Sequence, residues 1–175
     1  MRIKFAVALI VLGSITVLPA CSDQSGAPTA SDTAFAQDMS MHASSAMDLA
    51  DQARTRSKDP QVQALADEVF TAVAPIVDAL TELGPALAAD GADGFAHEDS
   101  ADHDTKSSER SDALRAAPAK TFDRTFRRSL AEELAEGLEI AQQARKSVAD
   151  SRSKAIADTA MTTWASLLDS NQLGA

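Results

Sequence analysis

The side chains best suited to chemistry are a histidine and three methionines that fall within nine residues: Met39, Met41, His42 and Met47. A neutral imidazole binds copper or zinc, and thioether sulfurs are soft ligands that favour Cu(I). Met39 and His42 are three residues apart and would share one face of a helix. The spacing therefore predicts a copper site. The alternative is a histidine hydrogen-bonded inside a helical bundle, with the methionines filling the core.

A second group of potential ligands lies in the middle of the chain. Six acceptor groups fall within eight residues: His97, Glu98, Asp99, Asp102, His103 and Asp104. Such a group can collect a divalent cation loosely, but flexible ligands lose conformational entropy on binding, so its affinity would be modest. The alternative is an acidic linker that is simply solvated.

The only cysteine, Cys21, follows a segment that is typical of exported proteins. Arg2 and Lys4 precede an apolar run that is too short to span a membrane comfortably. The run ends in the letters LPAC, which resemble the bacterial lipobox. That resemblance implies cleavage before Cys21 and a lipid on its sulfur, in the outer membrane or on the outer face of the cell membrane. Residues 1–20 are therefore predicted to be a lipoprotein signal peptide, and residues 21–31 a flexible tether.

Charge and motif content restrict the function. The net charge of −10 becomes −12 when residues 1–20 are removed, because they carry Arg2 and Lys4 and no acid. An acidic chain with no basic patch argues against nucleic acid and against docking on anionic lipid, so the lipid on Cys21 would be the membrane contact. The sequence has no Glu-x-x-His pattern of the di-iron type and no Gly-x-Ser-x-Gly turn. We therefore expect no enzymatic activity.

The chain carries one stretch twice, at an offset of 91 residues. The offset superimposes residues of the two copies: Asp32 on Asp123, Phe35 on Phe126, Ala50 on Ala141 and Ala53 on Ala144. It also places Glu133 at the position of His42. Pseudo-twofold packing would bring these two side chains together in a core, where a buried carboxylate needs a partner. The alternative, which the neighbouring leucine stripe slightly favours, is that Glu133 faces solvent beside Glu132 and Glu136.

Apolar residues recur at helical spacing in both copies and predict two helical hairpins, over residues 32–83 and 121–173. The turns fall at Asp59–Pro60 and near Ala149–Asp150, where an Asp can cap the following helix. Gly84–Pro85 should end the second helix.

Residues 84–120 are rich in Gly, Ala, Asp and Ser, and they predict a disordered acidic linker with a little helix near residues 111–116. Such a linker would contribute little to stability. Two short-looped hairpins joined by a long connection have the wiring of a ferritin-like bundle. The predicted fold class is therefore all-α, a four-helix bundle of the ferritin-like type.

The repeated residues resemble a bacterial envelope family known as domain of unknown function three-zero-five. Its repeat has an Asp three residues before a Phe, a Met four after that Phe, and a His-His pair seven and eight after it. The first copy matches with Asp32, Phe35, Met39 and His42, and also with Ala46 and Ala50, where the repeat has Ala eleven and fifteen residues after the Phe. Ala43 replaces the second His, and Glu133 and Leu134 replace the pair in the second copy. The resemblance implies an exported ferritin-like bundle, and in some members a link to copper binding or copper tolerance.

Two functions follow from these observations. The first is a lipid-anchored envelope protein that binds or buffers a transition metal, copper first, through His42, the methionines and Glu133. The second is a degenerate paralogue without metal, which acts as a structural or protein-interaction module of the envelope. An inward His42 within reach of Met39 or Glu133 would favour the first, and an exposed His42 the second. The partner and the oligomeric state are not indicated by the sequence.

The lipobox yields a direct prediction. Replacing Cys21 by Ser should release the protein from the membrane fraction without unfolding it, because the tether carries no core residues. Fractionation of washed membranes checks the release, and circular dichroism checks the fold. A variant that stays in the membranes would show that another anchor exists.

Overall fold

In a computed structural model of the chain, residues 26–91, 98–170 and 173 are described, with side chains omitted for residues 98–104. These residues form helices and no strand. The helices are α1 (Ala30–Arg56), α2 (Pro60–Ala89), α3 (Glu98–Ala116), α4 (Ala119–Ser147) and α5 (Ser151–Ser170). The hairpins α1–α2 and α4–α5 pack into a four-helix bundle, and α3 lies along α1 and α4. The all-α prediction is therefore confirmed. The predicted signal peptide and Cys21 lie outside the described residues.

The first helices of the two copies, α1 and α4, meet at the centre of the bundle through matching apolar stripes. Phe35 and Met39 on α1 and Phe126 and Leu130 on α4 are almost completely buried. Each such side chain contributes roughly 1.5–3 kcal/mol relative to an exposed one. Small residues between them allow the helices to approach closely: Ala43, Ala46, Ala50 and Ala53 on α1, and Gly137, Ala141 and Ala144 on α4.

The two copies fill the centre of the bundle with different but compensating volumes. Val73 on α2 corresponds in the repeat to Trp164 on α5, and Ala46 corresponds to Gly137. A Cβ on Gly137 would lie 3.4 Å from the Trp164 ring and 3.7 Å from the Cβ of His42. The missing methyl group on α4 therefore makes room for the large indole, as close packing of an interior requires.

Asp32 ties the start of α1 to the turn of the other hairpin. Its carboxylate accepts hydrogen bonds from the Thr29 N–H at 2.8 Å and the Thr29 hydroxyl at 2.7 Å. It also accepts from the backbone N–H groups of Ala149 at 3.3 Å and Asp150 at 3.0 Å. One buried side chain thus caps its own helix and fixes the α4–α5 turn.

Asp123 makes the equivalent connection from the second copy. It accepts a hydrogen bond of 2.7 Å from the Ser57 hydroxyl, which in turn accepts one of 3.1 Å from the Asp59 N–H. Asp59 and Asp150 correspond in the repeat. Each acid therefore holds the turn of the opposite hairpin, directly in one case and through a serine in the other. This is a physical reason for an Asp three residues before the Phe of the repeat.

The end of α2 differs from the expectation. Gly84 and Pro85 do not end the helix, which continues to Ala89. The extra turn buries Leu87, which is 1% exposed, and this burial offsets the loss of one hydrogen bond at Pro85. The turn near Pro60 falls as predicted, with Asp59 accepting from the Gln61 N–H at 2.8 Å.

Helix α2 is long and apolar enough to cross a membrane by length and composition alone. A helix in the core of a bundle meets the same criterion, and nine residues of α2 are buried in this one. The bundle packing of α2 therefore accounts for its apolar composition.

The stretch 84–120 was expected to be a disordered linker, and that expectation is wrong for most of it. It contains the last turn of α2 and the whole of α3. The composition hid α3 because only Leu114 and Ala117 are apolar and buried near its end. Arg56 further fixes this end, donating to the carbonyl groups of Leu114 at 2.9 Å and Ala117 at 2.8 Å.

We expect Asp32→Asn to lower the free energy of unfolding by about 2 kcal/mol, because an amide cannot accept all four hydrogen bonds. Chemical denaturation measures the change, with Asp51→Asn on the exposed face of α1 as the matched control.

Burial opposes ionisation of Asp32, but its hydrogen bonds outweigh burial and lower its pKa below the ordinary value. Its contribution is therefore present above the ordinary pKa and is lost as the pH falls through the lowered one. The deficit of Asp32→Asn relative to Asp51→Asn should therefore shrink in acid, and equal stability of the two variants at neutral pH would contradict this role.

Candidate functional site: a buried cluster around Glu133

The strongest candidate site brings His42 and Glu133 together in the core between α1 and α4. His42 Nδ1 lies 2.6 Å from Glu133 Oε1, and neither side chain is exposed to solvent. The repeat predicted this pair as one alternative, and the structure supports it. The other alternative, Glu133 on a solvated acidic run, is wrong. Glu133 is 1% exposed and lies on the same buried face of α4 as Leu130 and Leu134. The leucine stripe and Glu133 therefore share that face.

Helix α3 supplies two further partners of Glu133. The Ser107 hydroxyl lies 3.0 Å from Oε1 and 3.2 Å from Oε2. The Arg110 guanidinium donates to Oε2 at 2.8 Å and to Glu136 Oε1 at 2.6 Å, and its Nε lies 3.6 Å from Glu132. The buried carboxylate therefore has hydrogen bonds from α1 and from α3 and a full positive charge beside it.

The charge state of Glu133 follows from these contacts. Burial opposes its ionisation, but the hydrogen bonds from His42 and Arg110, together with the positive charge of Arg110, outweigh burial. The pKa of Glu133 therefore lies below its ordinary value, and the side chain is a carboxylate at neutral pH.

The ionised Glu133 also fixes the tautomer of His42. A carboxylate only accepts hydrogen bonds, so Nδ1 of His42 must carry the proton that it shares with Oε1. In the neutral ring, Nε2 is then the nitrogen with a lone pair. A histidine oriented by a carboxylate in this manner is a frequent arrangement behind metal-binding imidazoles.

The predicted sulfur ligands are distributed around this centre. Met39 is completely buried one turn before His42. Met41 lines an open groove of about 480 Å³ between α1 and α3, together with Ser44, Ser45 and Asp48. Met47 is partly buried against the core. Met39 and Met47 thus contribute to the core, whereas Met41 faces the groove, and their role as ligands stays a prediction.

The linker cluster is only partly described. His97 lies outside the described residues, and Glu98, His103 and Asp104 belong to α3 without described side chains. Among the side chains that the structure describes, no group of three or more His, Cys, Asp or Glu is placed to hold a metal ion. The linker site therefore stays a prediction.

The donor set around His42 does not fit a resident copper ion. Glu133 already binds a guanidinium, and a second cation would be repelled by Arg110 at short range in a region of low dielectric constant. The negative charge that would attract a metal is therefore already neutralised by the protein.

Sequence reasoning missed Ser107 and Arg110. The signal was present, because Ser107, Arg110, Leu114 and Ala117 are spaced three, four and three residues apart. That spacing is a helical stripe. The first two residues of this stripe are polar and lie in a segment of acidic composition, so the stripe was not recognised as a buried helical face.

A doubled helical hairpin with an internal hydrogen-bonded pair, His42 and Glu133, between its two copies defines the class of protein as a pseudo-symmetric helical bundle. Over residues 32–166 the chain matches the family described as "Domain of unknown function (DUF305)", and it belongs to that family. It is also similar to a solved structure, the crystal structure of a DUF305 fragment from Deinococcus radiodurans, with a TM-score of 0.66 and 18% sequence identity. The likeness covers 82% of this chain and 95% of that one. A comparison with curated proteins finds no match.

Replacing Arg110 by Met should lower the free energy of unfolding by about 3 kcal/mol, because it leaves a buried carboxylate without its counter-ion. Denaturant unfolding measures the loss. Arg128→Met is the matched control, because Arg128 is exposed and its ion pair with Glu132 is long, at 4.0 Å. This substitution should change the free energy of unfolding by about 0.5 kcal/mol or less.

The deficit of Arg110→Met should shrink as the pH falls below the ordinary range of a glutamate, because a protonated Glu133 needs no counter-ion. Adding Glu133→Gln should restore part of the loss. Equal, small effects of the Arg110 and Arg128 substitutions would show that the guanidinium does not stabilise the core.

Proposed function

We propose that this chain is a lipid-anchored protein of the bacterial cell envelope whose bundle acts as a structural or protein-interaction module. Its fold is that of the family, but at the motif position a protein cation, Arg110, compensates Glu133. The observation that carries the proposal is the 2.8 Å contact between Arg110, whose side chain is 11% exposed, and the completely buried side chain of Glu133. The attachment through a lipid on Cys21 is supported by the lipobox.

Both motif positions of the repeat are used for internal bonding in this chain. His42 and Glu133 bind each other, and α3 closes over them with Ser107 and Arg110. A buried ion pair of this kind holds helices in one register, which is a structural role. The function would then be carried by the outer surface of the bundle.

A second candidate function is Cu(I) binding, and the orientation of His42 favours it. Glu133 holds Nδ1, so Nε2 would be the donor, and Met39 lies one turn away on the same buried face. A copper ion at Nε2 would add a second positive charge across the imidazole ring from Arg110, and this repulsion would oppose its binding.

Titration with Cu(I) under reducing conditions separates the two functions. The structural module predicts no binding by the wild type tighter than the micromolar range. Binding tighter than this, lost in His42→Ala but retained in the double variant His97→Ala, His103→Ala, would establish the helical copper site and overturn the proposal. Tight binding lost only in the double variant would assign the metal to the linker cluster.

A further inference from the structure

We propose that the end of the bundle formed by residues 54–61 and 115–128, here called the basic end, is a docking surface for a short acidic segment of another protein. We expected no basic patch from the sequence, because these residues lie in two stretches that are far apart in the chain. The fold brings the two stretches together. The proposal goes beyond the structural role of the core and concerns the outer surface.

The charge of the basic end is opposite to that of the rest of the chain. Its two stretches contain eight Lys or Arg residues and two acids, Asp59 and Asp123. The two stretches therefore carry a formal net charge of +6, part of which is neutralised by the ion pairs that Arg54, Arg115 and Arg128 make with acids just outside them, Asp67, Asp112 and Glu132. Since the chain without residues 1–20 totals −12, the remainder carries −18.

Specific contacts hold the two stretches side by side. The guanidinium of Arg56 lies 4.3 Å from the ring centroid of Phe122 and donates to the carbonyl groups near the end of α3. Ser57 donates to Asp123 at 2.7 Å. Lys58 and Arg124 directly follow these two residues, so they lie on neighbouring parts of the same end.

Several cations of the basic end point into solvent and are available to a partner. Lys58, Lys120 and Arg124 are exposed. In the described part of the chain no ion pair joins any of the three to an acid. Lys120, Arg124 and Arg128 recur at four-residue spacing along α4, which makes one cationic row. The acids of this end are already engaged, Asp59 by a helix cap and Asp123 by Ser57.

The negative charge of the surface around the basic end favours a short acidic segment over a long polyanion as the ligand. A long phosphate polymer would extend beyond the basic end onto surface that carries most of the charge of −18, where repulsion opposes binding. A single-stranded nucleic acid also stacks on exposed aromatic rings, whereas Phe122 is 2% exposed and covered by Arg56. A short acidic segment of a protein matches the size and the charge of this surface.

The position of the tether limits how the basic end can approach the anchoring membrane, and this step rests on the proposed lipid on Cys21. Gly26 lies against Ala149, because a Cβ on Gly26 would be 3.1 Å from the Ala149 Cβ. The tether therefore reaches the bundle at the α4–α5 turn, which is the opposite end. Five residues from Cys21 to Gly26 span at most about 17 Å, whereas α1 is about 40 Å long. The tether is therefore too short to let the basic end dock end-on to the anchoring membrane.

The test uses the full chain in detergent, so that it does not depend on where the lipid is. A labelled polyglutamate peptide of about ten residues, long enough to span the basic end when extended, is titrated at low salt. Lys120→Glu with Arg124→Glu should weaken binding by about tenfold or more. Lys146→Glu with Lys154→Glu, the same charge change at the other end, should alter it by about twofold or less. Acids near the start of α4 also favour the helix dipole, so unfolding does not explain a loss.

Each outcome decides the proposal. Peptide binding that weakens with salt and is lost only in the Lys120, Arg124 variant supports it. No peptide binding, or an equal loss in both variants, overturns it. Preferential binding of long polyphosphate, or of vesicles with anionic lipid, would also overturn it and assign another ligand to the basic end. Loss of membrane attachment in Cys21→Ser is a separate result that concerns the anchor alone.

Discussion

The carboxylate of Glu133 is a negative charge at the centre of the bundle, and its compensation determines how the rest of the chain is arranged. An isolated ion in a protein interior costs several kcal/mol even after the surroundings relax. His42 from α1 and Ser107 and Arg110 from α3 all converge on this group. The helix that composition predicted to be disordered is therefore held in place, because the core needs its guanidinium. In return, α3 buries little apolar surface beyond Leu114 and Ala117 and depends on polar contacts.

The two copies of the repeat have kept one set of interactions and changed another. At one end of each first helix, Asp32 and Asp123 hold the turn of the opposite hairpin by equivalent hydrogen bonds. At the centre, the copies have diverged in complementary directions. His42 corresponds to Glu133, and the small Val73 to the large Trp164. A symmetric pair of histidines or of carboxylates would repel itself when charged, whereas the asymmetric pair attracts, so divergence permits a charged core without a metal.

The sequence predicted those parts of the fold that depend on local periodicity, and it failed where distant contacts decide. Apolar spacing and the Asp59–Pro60 signal placed both hairpins, because burial of one helical face and capping are short-range effects. The same reasoning stopped α2 at Gly84, since the burial of Leu87 against the bundle is not visible locally. It left the partner of Glu133 open for a similar reason. The stripe around Leu134 is compatible with either orientation, and the choice depends on Arg110, 23 residues away.

Whether a metal can bind beside His42 can be judged by comparing charges. A cation at Nε2 of His42 would find that the charge of Glu133 is already compensated by the guanidinium of Arg110, which also contacts Glu136 and Glu132. It would gain little attraction and would be repelled by the guanidinium across the imidazole ring. This repulsion adds to the desolvation of the ion itself. In this chain an internal cation, Arg110, therefore compensates Glu133 and fastens α3 to the core, while Lys58, Lys120 and Arg124 stay exposed at the basic end.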